Sequence, residues 1–136
     1  DSVSMIQSVD SIKLAEEIDR HAGRIGRCQD ILIEVNIGGE KSKSGIAASG
    51  LEELVYQVSE LENIRVRGLM AIPPAGSSER FLFDMQKLYI DISQKKIHNI
   101  SMDYLSMGMS GDYEAAIKYG ANMVRIGRGL FGPRNY

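Results

Sequence analysis

The chain has 136 residues, 43% of them hydrophobic and 25% charged, with 16 basic against 18 acidic side chains for a net charge of −2. That length suits a single domain, residues 1–136, able to bury a real core, and the charge excludes a general nucleic-acid or polybasic membrane binder, which carries a concentrated basic stripe. No run approaches the ~18 apolar residues of a membrane span and no signal peptide is visible. A lone cysteine, Cys28, excludes an internal disulfide framework and a cysteine-based zinc site, so a reducing cytoplasm is the simplest home. The chain opens at Asp1 without an initiator methionine, as a trimmed or incomplete product would.

Five apolar runs rich in Val, Ile, Leu and Met predict strands: Val3 to Val9, Ile31 to Ile37, Ile64 to Ile72, Met102 to Leu105 and Met123 to Ile126. None alternates cleanly between polar and apolar, as expected of parallel strands buried on both faces. The segments between them read as helices. Ile12, Ala15, Ile18, Ala22 and Ile25 share one face of the first. Leu51, Leu54, Val55, Val58 and Leu61 share a face of the second, with Ser49 and Glu52 spaced as a capping box. Phe81, Met85, Leu88 and Ile92 line the third, with Ser77 and Ser78 as candidate caps. A short fourth helix is predicted from about Asp112 to the stop at Gly120. No linker, low-complexity tract or sequence repeat interrupts this alternation.

The class is therefore α/β, and two architectures compete: an open doubly wound sheet and a (β/α)₈ barrel. Five strands and 136 residues favour the open sheet, since a closed barrel needs eight strands and about 250 residues. The motifs favour the barrel. Leu105-Ser106-Met107-Gly108-Met109-Ser110-Gly111-Asp112 runs from a strand end into a helix start, with hydroxyls and glycines that suit an anion cup; an ordinary strand–turn–helix capped by Ser110 is an equal reading. Val124-Arg125-Ile126-Gly127-Arg128-Gly129 ends a buried strand with an arginine and lets backbone N–H groups approach a ligand; a solvent-facing arginine is the alternative. Together they place phosphate donors after the last two strands, where barrels build their shared phosphate site. No Walker loop, G-x-G-x-x-G, HExxH or G-x-S-x-G is present. His21, His98 and Cys28 have no ligand spacing around them and read as surface residues, and no metal site is expected.

Several motifs in order resemble the pyridoxal phosphate homeostasis proteins, relatives of the barrel domain of alanine racemase. They are Asp10-Ser11; Val35-Asn36-Ile37 followed by Glu40-Lys41-Ser42-Lys43-Ser44-Gly45; Arg67-Gly68-Leu69-Met70-Ala71-Ile72-Pro73; Leu105 to Ser110; and Met123 to Gly127. The resemblance implies a (β/α)₈ barrel of which these are strands four to eight, the N-terminal third being absent, and pyridoxal 5′-phosphate as ligand. It places the phosphate on Ser110, Ser106 and the backbone of Gly127 and Arg128, sets Arg125 against the pyridine nitrogen, and makes Asn36 and Met70 lining residues. A permanent cation at that nitrogen disfavours its protonation and blunts the ring as an electron sink, which suits a carrier better than a fast enzyme.

The resemblance also implies no catalytic residue in this stretch, because the family's Schiff-base lysine belongs to the absent third. The lysines present, Lys13, Lys41, Lys43, Lys87, Lys95, Lys96 and Lys118, lie outside the predicted buried strands. The segment Pro74 to Ser78 looks shorter than the family's loop. The implied function is intracellular homeostasis of the cofactor, by a monomer that serves pyridoxal phosphate-dependent apo-enzymes, with neither nucleic acid nor membrane as partner. Two alternatives stand beside it: an amino-acid racemase of the same barrel type, and a phosphate-binding barrel for another phosphorylated metabolite.

Overall fold

A computed structural model describes residues 5–74, 79–109 and 113–125. Strand β1 (Met5–Val9) leads into helix α1 (Ile12–Arg24), then β2 (Gln29–Asn36), a two-residue β3 (Ile46–Ala47), a single 3₁₀ turn (Ala48–Gly50) and α2 (Leu51–Ser59). The chain continues through β4 (Ile64–Ala71), α3 (Glu79–Lys95), β5 (Ile100–Met109), α4 (Tyr113–Lys118) and β6 (Met123–Arg125).

Every pairing is parallel, and the strands lie in the order β1-β2-β4-β5-β6, with β3 hanging on β2. That order decides between the two architectures. A doubly wound sheet reverses direction at a switch point so that helices cover both faces. Here each strand is laid beside its predecessor without reversal, and right-handed crossovers then put all the helices on one face. Such a sheet is an arc of a (β/α)₈ barrel.

Alternation along β2 shows the two faces. Ile31, Ile33 and Val35 join the cluster that packs under the helices with Val9, Leu54, Val55, Val58, Leu69, Leu82, Met85, Leu105 and Met107. Leu32 and Glu34, also buried, turn to the opposite, inner face. Residues in the neighbouring strands follow suit: Leu69 and Ala71 belong to the helix-side cluster, whereas buried Met70 between them does not.

Helix starts depart from expectation. Ser11 caps α1, its hydroxyl accepting from the Leu14 amide at 3.1 Å. The capping box expected of Ser49 and Glu52 does not form: Ser49 lies in the 3₁₀ turn, Gly50 occupies the cap position, and no side chain bonds the first turn of α2. Ile25 was expected on the buried face of α1 but stands past its end, 50% exposed. In α3 the deepest residue of the first turns is Leu82 rather than Phe81. Ser77 and Ser78 lie outside the described residues. Strand β5 runs well beyond the predicted Met102 to Leu105, because Ser106 and Gly108, poor strand formers, are nevertheless buried in it.

Two glycines are required by close approach. Gly68, at φ +153°, sits where β4 slips register against β5, and a Cβ there would run into the carbonyl oxygen of Tyr104. Gly45, at φ +110°, brings the end of the β2–β3 loop against the backbone of Asn36, where a Cβ would stand 2.6 Å from its nitrogen.

Candidate functional site

Hydrogen-bond register aligns Glu34 of β2 with Met70 of β4, Met70 with Ser106 of β5, and Ser106 with Met123 of β6. These residues form one row across the inner face. Gln7 of β1 joins the row from the far side of the arc: its Oε1 accepts the Ser106 hydroxyl at 2.9 Å, and its Nε2 donates to the Met123 sulfur at 3.3 Å. A thioether can only accept, so the amide nitrogen must face Met123, the amide oxygen must face Ser106, and the serine proton points at Gln7. Ser106 is completely buried. The arc is thus curled enough for its first strand to touch its last two.

Above this row, on the carboxyl-terminal side of β1 and β2, the loop between β2 and β3 is held by three side chains. Asp10 Oδ2 accepts the Gly45 amide at 2.9 Å, and Glu34 Oε2 accepts the Ser44 hydroxyl at 2.7 Å. Asn36 donates through Nδ2 to the carbonyl of Glu40 at 2.6 Å and accepts the Glu40 amide at 3.3 Å. The Asn36 amide, expected to line the ligand, is therefore engaged in shaping this loop. Lys41 and Lys43 project from it into solvent.

A charged network occupies the amino-terminal half of the sheet. Arg67 Nε donates to Asp103 at 2.7 Å and its Nη1 to Asp30 at 2.8 Å, while Ser101 donates to Asp103 at 2.9 Å. The Arg67 guanidinium also lies 5.4 Å from the ring centroid of Tyr104. The hydrogen bond from Arg67, helped by that from Ser101, holds the Asp103 carboxyl below its ordinary range, and the same bond raises Arg67. In barrels the strand amino-termini carry stability and the carboxyl-termini carry chemistry. The Arg67 network stitches three strands together and lies away from the row.

Of the residues singled out in the sequence, Ser106 and Met70 are adjacent members of the inner row, and Asn36 ends β2 beside it. Ser110, Gly127 and Arg128 lie outside the described residues, as does the side chain of Arg125. The backbone of Arg125 pairs with Met109, so β5 and β6 end side by side. Sequence reasoning missed Gln7, Glu34 and Met123. A signal for one of them was present: Glu34 is the single polar residue of the buried stretch from Ile31 to Val35 in β2, and a polar side chain in a strand buried on both faces needs an interior partner. Gln7 stands beside polar Ser8 in β1 and carries no such signal. All seven lysines are exposed. Among the described residues, no group of three His, Cys, Asp or Glu side chains could hold a metal, and no helix is long and apolar enough to cross a membrane.

A one-way parallel arc with a polar inner row and a latched loop at its strand ends is the architecture of an α/β-barrel ligand site. The profile of the family described as "Alanine racemase, N-terminal domain" matches residues 2–135, and the chain belongs to that family. The chain is 41% identical over 138 residues to a pyridoxal phosphate homeostasis protein of Aquifex aeolicus, covering 98% of this chain and 60% of that protein. It is 39% identical to the protein of the same name from Pseudomonas aeruginosa, covering 96% and 56% respectively. Among solved structures it is similar to PipY of Synechococcus elongatus with pyridoxal phosphate bound, at 32% identity and a TM-score of 0.85, over 95% of this chain and 61% of that one. The chain therefore spans about 60% of the length of these relatives.

Proposed function

We propose that the protein binds pyridoxal 5′-phosphate at the carboxyl-terminal ends of its strands and serves intracellular homeostasis of that cofactor as a carrier rather than a strong catalyst. The observation that carries this reading is the likeness of the chain to PipY, a protein solved with pyridoxal phosphate bound. The polar groups of the inner row, Gln7, Glu34 and Ser106, suit a polar ring. The exposed lysines do not fit the aldehyde, for which this stretch offers no interior amine.

In this reading Ser110, with backbone N–H groups at Gly127 and Arg128, holds the phosphate dianion. Glycine at position 127 permits the backbone approach that such a contact needs. Ser106, four residues before Ser110 in the chain, lies in the inner row with its proton turned to Gln7. Met70 packs beside it, and Asn36 keeps the neighbouring loop in place. When bound, pyridoxal phosphate supplies an aldehyde that condenses with amines and a ring that withdraws electrons in proportion to the protonation of its nitrogen. Arg125 next to that nitrogen keeps a proton off it, since two positive charges in contact are unfavourable. The protein then holds the cofactor without driving strong chemistry on it.

The test is made on the complete protein. Purified material should carry bound cofactor with absorbance in the near-ultraviolet to visible range, lose affinity on Ser110→Ala and on Arg128→Gly to a lesser degree, and show no alanine racemisation. Failure to bind pyridoxal phosphate above the level of free solution, or competition won by sugar phosphates, overturns the reading. Rapid racemisation makes the protein an enzyme.

A further inference from the structure

Glu34 is an acid in an unusual position. It is 4% exposed, it lies on the inner face of β2 next to Met70 in the row, and among the described residues the Ser44 hydroxyl is its one hydrogen-bond partner. Among the described residues no cation pairs with it; Arg67, the nearest thing to an interior guanidinium, is engaged by Asp30 and Asp103 instead. A buried carboxylate with one neutral partner is costly, because its charge has lost water and gained little. The latch on Ser44 does not account for a charge: a glutamine carbonyl oxygen would accept the same hydroxyl at lower desolvation cost. A charge kept at that position is matched by a positive group that arrives from elsewhere.

We infer that Glu34 is a binding carboxylate for a primary ammonium inside the barrel. The inference rests on the cofactor reading above and deepens it. Glu34 would face a ring held inside the arc, since it shares the inner row with Met70 and Ser106. Two sources of the same chemistry exist. One is the amine of an aminated vitamer carried in place of the aldehyde form. The other is a lysine of a segment outside these 136 residues.

The experiment uses the complete protein and three probes: pyridoxamine 5′-phosphate, pyridoxine 5′-phosphate and pyridoxal 5′-phosphate. The first two differ only in a charged amine against a neutral hydroxyl. Titration calorimetry of the wild type should show pyridoxamine phosphate preferred, and Glu34→Gln should weaken it about ten- to a hundredfold while pyridoxine phosphate changes less than about twofold. That outcome assigns the ammonium to the ligand. If the preference is instead unchanged but the absorbance of bound pyridoxal phosphate titrates about one pH unit lower in Glu34→Gln, the ammonium is the protein's own lysine, and the inference stands with that source. Ser44→Ala breaks the latch and keeps the charge; it should leave both readouts unaltered. The inference is overturned if neither readout moves in Glu34→Gln, or if Ser44→Ala reproduces its effect, since the carboxylate then acts through the loop alone. A wild type that binds none of the three probes overturns the cofactor reading itself, and the role of Glu34 falls with it.

Discussion

Gln7 and Ser106 stand ninety-nine residues apart in the chain and are joined by a 2.9 Å hydrogen bond across the inside of the sheet. β1 and β5 are not neighbours in the sheet, so this contact exists only because the arc is curled. Gln7→Leu removes the acceptor of a fully buried hydroxyl and the donor to Met123. A loss of about 1–3 kcal/mol is expected, read as a lower urea midpoint at unchanged slope. Gln7→Glu keeps the acceptor but adds a charge and should cost at least as much. An unchanged midpoint in both variants would show the bridge to be energetically idle.

Gly68→Ala should be among the most damaging single substitutions in the chain. The new methyl meets the Tyr104 carbonyl, which is backbone in the adjoining strand and cannot rotate away, and φ +153° is itself unfavourable for alanine. About 3 kcal/mol or more is expected. Gly26→Ala, at φ +66° with no atom near its added methyl, isolates the backbone component and should cost only about 1 kcal/mol. Thermal melts of the two variants separate crowding from strain.

Acid should loosen the strand amino-termini first. Asp103 is held below its ordinary value of 3.8, foremost by the hydrogen bond from Arg67. A carboxyl with a depressed folded pKa adds stability that is complete above its unfolded pKa and vanishes as pH falls through the folded one. The expected window therefore lies below about pH 4. Asp103→Asn should flatten that limb of the stability profile and leave the neutral plateau little changed, because the pair is partly exposed and screened. At the alkaline end, burial and then the Asp103 charge push the Tyr89 phenol up. Its contribution is complete below its ordinary pKa of 10.0 and fades as pH rises through the higher folded value, so Tyr89→Phe should remove a loss of stability above pH 10.

The 136-residue chain should release pyridoxal phosphate on dialysis. About four charge-assisted hydrogen bonds to the phosphate, at about 1.5–3 kcal/mol each, face an association cost of about 4–15 kcal/mol, a balance consistent with millimolar affinity, near −4 kcal/mol, or weaker. All seven lysines are exposed, so no covalent anchor from this stretch adds to it. Equilibrium dialysis followed by absorbance reads the result, and retention of the coloured species by this chain alone would contradict it.

Much of the scaffold was legible because it follows from local patterning. The runs around Ile31 to Ile37 and Ile64 to Ile72 lie within a residue or two of β2 and β4, since a stretch apolar on both faces suits only a strand covered on both sides. Gly120 ends the fourth helix as expected. Boundaries failed where local signals were weak or rival. Ser49 and Glu52 have the spacing of a cap, yet the chain enters α2 through a 3₁₀ turn that leaves Ser49 outside it. Strand β3, two residues long, has no periodicity to detect. Asn36, expected to line a ligand, also bonds Glu40, a contact that depends on where the loop from Gly38 to Gly45 returns; Asp10 and Glu34 hold that loop.

The order of residues along the chain determined the repeated strand–helix unit, the resemblance to a cofactor-binding family, and the candidate phosphate loops after β5 and β6, because each is written in neighbouring residues. Tertiary structure decided the rest. Strand order, not strand number, separated an arc of a barrel from an open sheet. The inner row of Gln7, Glu34, Met70, Ser106 and Met123 came into being only when five distant segments were laid side by side. Hydrogen-bond register is a property of pairs of strands, and no single strand contains it.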